Sequence, residues 1–491
     1  MFFSVLRITT YVLGIVALTM LLPLAVAVSE SETAAAYAFL VPQLVAILSA
    51  VVFRFAARGK QEAFDIHNAF GTVAWIWVAI CLYGAIPLYF SGAYPSVVDA
   101  IFESVSGFTA TGASVSANVE ALPRSIILWR CQTHWLGGLG VIALAVALIP
   151  LLGVSGLRLI KAETSGPEKE KLTNFIATTA KTLWFIYLIL TVLEFILLHF
   201  FGIDYIDALA ISFSTLGSGG FSPRNASIGS YAMPAVEWTC IVFMLASAIN
   251  FAVYYRLLSG RHSDVRRDSE LRVFLAVVAV AIVGASLLQL DGVQKLGNAV
   301  RPIIFQVVSI VSTTGFMTED YLTWCPGAQM VIFILCFIGG CSGSTAGGVK
   351  VVRWTVLAKQ LRNQVRRMVH PHEVFTIQLH GVSGREEVVP VVAAFVFVYF
   401  LFVAVTALVG AIAGLDMFTA FTAALSMVGN IGPAFGTLGP SENYSSLAPA
   451  LKGFYSFAML AGRLEIYTLL FLLGRIFSLR PSFMHKTKTQ D

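Results

Sequence analysis

At 491 residues, 57% hydrophobic and only 12% charged, with a mean hydropathy of +0.81, the chain carries more apolar surface than a soluble core can bury. That composition excludes a soluble enzyme and describes an all-α polytopic membrane protein. The formal net charge of +5 reflects membrane topology and gives no reason to expect nucleic-acid binding. Each crossing needs about 20 apolar residues. In chain order, spans are expected at 4–27, 35–56, 70–92, 125–152, 181–203, 233–258, 271–291, 327–356, 388–415 and 448–478, the eighth of them interrupted. The first reads as a retained helix rather than a signal peptide, because no small-residue cleavage site with a soluble domain follows it.

Lys and Arg orient the spans. Connections 54–65, 158–181, 256–272, 350–387 and 475–491, together with Arg7, hold 25 of the 32 basic residues against 12 acidic ones. The exterior connections hold 6 and 13, which puts the N-terminus inside. The six cysteines lie mostly in or beside spans, form no CxxC motif, and read as small buried hydrophobes. An intramembrane enzyme would need clustered Asp, His or Glu. Only Glu194, Arg463 and Glu465 fall within spans, and they form no acid–base constellation. The chain therefore reads as a non-enzyme with no organic cofactor.

Between the spans a polar, glycine-punctuated segment recurs four times. Aligning Gly112, Gly220, Gly315 and Gly432 without gaps places Ser106, Ser214, Ser309 and Ser426 six residues earlier. Val105, Phe213, Val308 and Leu425 stand seven earlier, and Ile101, Leu209, Ile304 and Phe421 eleven earlier, so these apolar positions share one helix face. Asp99, Asp207, Pro302 and Thr419, thirteen before each glycine, mark the expected helix starts; a proline suits a first turn. A repeat of this kind sets the architecture. Each unit reads as span, short helix, extended polar segment, span. The expected units are 66–157, 178–262, 268–365 and 385–480, preceded by an N-terminal helix pair at 1–60.

A helix of roughly 12 residues cannot cross about 30 Å of hydrocarbon at 1.5 Å per residue. It must stop near mid-membrane, where non-helical backbone is tolerated only if protein buries it or it lines a path. Four such units around one central pore give that path. The expected lining is Ala110, Thr111 and Gly112; Ser218, Gly219 and Gly220; Thr313, Thr314 and Gly315; and Asn430, Ile431 and Gly432. None carries a charge, so backbone carbonyls would replace the hydration shell of a monovalent cation. The short helices would aim their negative C-terminal ends at the same cavity.

DAIFESVSGFTATGAS (99–114), the single glycine per filter segment, QTHWLGGLG (132–140) and AGRLEI (461–466) resemble the Trk/Ktr/HKT superfamily of K⁺ uptake proteins. Within it they are most similar to the bacterial Trk-type subunits, the TrkH/TrkG group. The resemblance spans 70–478, and the extra helix pair at 4–56 also resembles Trk rather than the shorter Ktr subunits. It implies a K⁺ uptake protein of the bacterial cytoplasmic membrane, paired as a homodimer and docked to a TrkA-like ring of nucleotide-binding regulatory subunits. The fourth segment, VGNIGPAFG (428–436), diverges most from the others, which keeps a Na⁺-permeable or Na⁺-coupled carrier of the same fold as the alternative.

Two features lie below the filter. GGCSGSTAGG (339–348) places Gly339, Gly340, Gly343, Ser344, Thr345, Gly347 and Gly348 inside an apolar span. It is not a phosphate-binding loop, because Val349 stands where lysine is required. Glycine at this density points to a helix break, with a small-residue packing surface as the alternative. The resemblance makes it the intramembrane loop that obstructs the pore when closed. Arg463, mid-way along the last span, is either a structural partner of Glu465 or another buried acid, or, as the resemblance implies, a cation in the pore beneath the filter. His134 and Glu103 read as hydrogen-bonded structure. The basic run 359–368 reads as a lipid-facing cytoplasmic segment, and the two histidines of VHPHE (369–373) lack further metal ligands.

Overall fold

Backbone amides and carbonyls in hydrocarbon must be paired within the chain, so apolar runs of this length become helices. The computed structural model describes residues 2–56, 66–148, 168–289, 296–370, 378–379, 382–383 and 388–465. Helices α1 (Phe2–Thr19) and α2 (Leu21–Ser29) together make the first crossing, and α3 (Thr33–Ala56) the second. The first repeat is α4 (Ile66–Phe90), α5 (Val97–Phe108) and α6 (Arg124–Leu148). The second is α7 (Glu168–Phe200), α8 (Tyr205–Gly217), α9 (Pro234–Ala248) and α10 (Phe251–Leu258). After α11 (His262–Arg266) comes the third, α12 (Ser269–Gln289), α13 (Leu296–Val311), α14 (Pro326–Leu335) and α15 (Val351–Val369). A short antiparallel pair, Gln378–Leu379 with Val382–Ser383, precedes the fourth repeat. That repeat is α16 (Val388–Ile412), α17 (Met417–Gly429) and α18 (Pro449–Arg463).

Among the described residues six helices are long and apolar enough to cross a membrane, within 8–29, 33–52, 71–90, 181–200, 269–289 and 388–412. Their outer faces leave Leu44, Phe185, Val280 and Leu287 exposed, as a lipid-facing surface requires. The sixth expected span, 233–258, is not one straight helix: α9 and α10 meet at 93°. The break falls at Ile249–Asn250, where the Asn250 side chain caps the new helix by accepting from the Ala252 amide at 2.9 Å. The eighth expected span is interrupted between α14 and α15. Residues 466–478 of the tenth lie outside the described residues.

The short helices also start differently from the sequence markers. Asp99, Asp207 and Thr419 sit in the first turn, and the capping position comes three residues earlier at Ser96, Asp204 and Asp416. Asp204 accepts from Ile206 and Asp416 from Phe418 and Thr419. Pro302 lies inside α13 rather than at its start. A proline there removes one amide bond without ending a helix that neighbours hold on several sides.

Packing between repeats closes a circle. α8 packs on α6 of the first repeat, α13 on α9 of the second, and α5 on α18 of the fourth. Phe333 of α14 lies against Phe418 and Phe421 of α17, completing the third-to-fourth contact. Each short helix is thus wedged between its own spans and the last span of the repeat before it.

Candidate functional site: a closed ring of carbonyls above a glycine-rich loop

Each short helix ends in the same turn. The amides of Thr111, Gly219, Thr314 and Ile431 donate to the carbonyls of Ser106, Ser214, Ser309 and Ser426 at 2.9, 2.9, 2.9 and 3.0 Å. The residues just before, Ala110, Ser218, Thr313 and Asn430, are left-handed at φ 53°, 56°, 55° and 52°. This is the Schellman closure of a helix C-terminus, normally built on glycine. Holding other residues there costs about 1–2 kcal/mol each, and strain of this size persists only where the surroundings dictate the backbone. The next glycines, Gly112, Gly220, Gly315 and Gly432, follow at φ 80°, 78°, 79° and 100°.

The four segments touch in cyclic order. A Cβ added to Gly112 would fall 2.1 Å from Gly219 O, to Gly220 2.2 Å from Thr314 O, to Gly315 2.3 Å from Ile431 O, and to Gly432 2.5 Å from Thr111 O. Every glycine therefore admits the carbonyl of the next segment, and the fourth returns to the first. The residues supplying these carbonyls are all buried, Thr111, Thr314 and Ile431 at most 1% exposed.

Polar side chains brace the ring from outside. Glu103 accepts from Ser114 Oγ at 2.8 Å and from the Val115 amide at 2.9 Å, and is itself held by Arg130 Nε at 2.8 Å. The expected hydrogen-bonded carboxylate is thus half of a buried ion pair. Tyr444 donates to Gly432 O at 2.9 Å and Tyr321 to Ala434 O at 2.7 Å. Lys452 of α18 pairs with Asp99 of α5 at 2.7 Å, tying the last repeat to the first.

The glycine-rich loop between α14 and α15 seats against the ends of three short helices. Gly347 N–H donates to Thr313 Oγ1 at 2.6 Å. Thr345 Oγ1 lies 2.8 Å from Ser218 Oγ and donates to Leu216 O at 2.9 Å. A Cβ on Gly347 would meet Gly429 O at 2.4 Å, so only glycine lets the loop approach α17 this closely. The loop also zips onto the α9–α10 break: Cys341 N donates to Ala248 O at 2.8 Å and Phe251 N to Gly343 O at 3.2 Å. Its two ends share one carboxylate, since Glu270 Oε1 accepts from the amides of Ser342 at 2.6 Å and Val352 at 3.3 Å.

Arg463 ends α18 and is 8% exposed. Its Nη1 donates to Thr345 O at 2.8 Å, while Nε and Nη2 have no partner among the described residues. It does not pair with Glu465, whose carboxylate bonds Arg353 at 2.7 Å. Lys350 Nζ donates to Ala346 O, so two cations hold consecutive loop carbonyls. The sequence reading did not single out Lys350, Glu270 or Asn250; the only local signal was a lysine directly after GGV at 347–349. His134 is buried in the core. Of VHPHE, residues 371–373 lie outside the described residues, and among those described no group of three or more His, Cys, Asp and Glu could hold a metal.

Fold and site together define a pore-loop membrane protein built from four pseudo-repeats about one central axis. Residues 36–477 match the TrkH family model, described as a cation transport protein. The chain is 37% identical over 464 residues to the Trk system potassium uptake protein TrkH of Escherichia coli, covering 94% of this chain and 95% of that one. It is 36% identical over 483 residues to the TrkH of Halomonas elongata, covering 96% and 98%. The crystal structure of the potassium transporter TrkH from Vibrio parahaemolyticus superposes with a TM-score of 0.86 at 33% identity, covering 97% of this chain and all of that one. The chain belongs to the TrkH family of cation transport proteins, a transporter family and not an enzyme family.

Proposed function

We propose that this chain takes up K⁺ across the bacterial cytoplasmic membrane, as its relatives named potassium uptake proteins do. Thr111, Gly219, Thr314 and Ile431 supply the carbonyl ring that replaces the ion's water, and the flanking glycines let the four carbonyls converge. The absence of charge on the ring favours a monovalent cation over a divalent one. The loop 339–348 and Arg463 form the gate beneath it: the loop must leave the ends of α8, α13 and α17 before an ion can pass. The single observation that carries this reading is the cyclic contact of each glycine with the next segment's carbonyl, which no packing of four unrelated loops requires.

The same reading orients the N-terminus to the cytoplasm and makes the basic helix α15 part of a cytoplasmic face. A second copy would pair laterally, and a TrkA-like nucleotide-binding subunit would dock below. The name "Trk system" borne by the relatives fits a multi-component assembly. The test is cation flux in proteoliposomes, K⁺ against Na⁺ and Li⁺, with Gly315→Ser alongside. K⁺ preference that weakens in the variant supports the carbonyl ring. Equal K⁺ and Na⁺ flux in the parent would favour the Na⁺-permeable reading. No flux with or without a cytoplasmic partner would remove the proposal.

A further inference from the structure

One position of the ring is unlike its three counterparts. Just before the ring glycine stand Thr111, Thr314 and Ile431, but in the second segment Gly219. The threonines anchor behind the ring: Thr111 Oγ1 lies 2.7 Å from Thr109 Oγ1, and Thr314 Oγ1 lies 2.8 Å from Ser312 Oγ. Gly219 has no side chain to anchor. Its backbone gives no reason for glycine either, because unlike Gly220 it does not adopt a positive φ.

The reason is an imidazole from another helix. A Cβ on Gly219 would lie 2.1 Å from His134 Cγ, 2.3 Å from Nδ1 and 2.4 Å from Cδ2. His134 is fully buried on α6 of the first repeat. The Phe221 amide donates to Nε2 at 3.1 Å, so Nδ1 carries the proton and donates to Gly107 O at 2.7 Å. The Phe221 ring packs on the imidazole at 4.3 Å between centroids. One side chain thus joins α5 of the first repeat to the chain just beyond Gly220, with Gly219 pressed on its face.

We propose that His134 is a positioning residue of the filter, supplying from α6 the side chain that Gly219 lacks and so setting where the Gly219 carbonyl stands in the ring. This rests on the four segments being the ion-selecting ring.

Size exchange tests it in proteoliposomes of the full chain, reading total K⁺ flux and the K⁺-to-Na⁺ ratio separately. Gly219→Ala collides with the imidazole and should lower K⁺ flux by about tenfold or more, because sites of this kind tolerate only about 0.5 Å of displacement. His134→Ala should lower the K⁺-to-Na⁺ ratio, and the double variant, free of the collision, should carry more K⁺ flux than Gly219→Ala. Should His134→Ala not reach the membrane, His134→Asn and His134→Gln decide: each preserves one of the two hydrogen bonds, and each should lower the ratio. A double variant no better than Gly219→Ala overturns the proposal. So does a parental ratio in the His134 variants while Gly315→Ser abolishes selectivity, which leaves the ring intact. If Gly315→Ser also leaves the ratio unchanged, the ring reading itself falls, and this proposal with it.

Discussion

Replacing Arg463 with glutamine removes the guanidinium that holds the glycine-rich loop at Thr345 O, and with it a positive charge that the proposed gate places under the ring. In the structure one guanidinium nitrogen holds Thr345 O at 2.8 Å and the other two are buried without partners among the described residues. A hydrogen bond to a charged group is worth roughly 1.5–3 kcal/mol. Its loss would shift the balance of seated and released loop by roughly ten- to a hundredfold, at about 1.4 kcal/mol per tenfold. The charge adds a second effect: a K⁺ passing within about 7 Å would meet roughly 2 kcal/mol of repulsion at an effective dielectric of about 20. Both effects have the same sign, so Arg463→Gln should leak. K⁺ flux into liposomes without any regulatory subunit measures this directly, and a rise of about tenfold or more is expected. Arg463→Lys retains the charge and should leak less. Because Arg463 has no acidic partner among the described residues, Arg463→Gln should not lower the thermal midpoint. A leak equal to the parent's, in preparations where Gly315→Ser still alters selectivity, would refute the reasoning and make Arg463 a structural residue.

Other outcomes follow from the same geometry. Gly220→Ala meets Thr314 O at 2.2 Å and adds left-handed strain of about 1–2 kcal/mol; ion flux should collapse, whereas Gly14→Ala, with nothing within 4 Å, should transport normally. Glu270→Gln leaves a neutral acceptor for the Ser342 and Val352 amides, weakening the seated loop by about 1 kcal/mol; faster amide exchange over 339–352 and a higher basal leak would show it. Arg130→Met strands the buried Glu103 carboxylate at roughly 3–5 kcal/mol, seen as a lowered unfolding midpoint in detergent. Asp416 is held below the ordinary carboxylate range by the Thr419 hydroxyl and the Thr419 and Phe418 amides it accepts from. Its folded pKa is depressed, so its stabilisation is full above the ordinary value of about 3.9 and lost as pH falls below it. The difference in unfolding midpoint between the parent and Asp416→Asn should be present at neutral pH and vanish in strong acid.

Much of this architecture was legible in residue spacing because membranes restrict the choices. Apolar runs must be helices, and a helix too short to cross must turn back, so four short helices with a glycine at fixed distance implied four re-entrant units. The serine six residues before each glycine marks a real feature, the carbonyl that closes each helix end. The glycine run at 339–348 announced a broken helix for the same reason: no helix tolerates that density of glycine, and the chain leaves helix between Leu335 and Val351. Local spacing was weaker at helix starts. Pro302 looked like a first turn but sits inside α13, because packing against α9, α12 and α14 sustains helix on both sides of it.

What sequence alone determined is what depends on neighbours along the chain: the class of protein, the repeat, and the break in the eighth span. What only the tertiary structure decided depends on partners remote in sequence. The ring order, in which Gly432 receives Thr111 O, joins residues from opposite ends of the chain. The bend at Asn250 exists because the loop of the next repeat docks there. Lys350 looked like an ordinary positive-inside residue and Glu270 like an ordinary flanking acid until folding brought them to that loop. The alignment sets Gly219 apart from Thr111, Thr314 and Ile431, but not the reason for it, since the side chain that demands glycine comes from His134, on a different repeat. Periodicity records a residue's face and its turn, but a contact across a closed ring leaves no period in the chain.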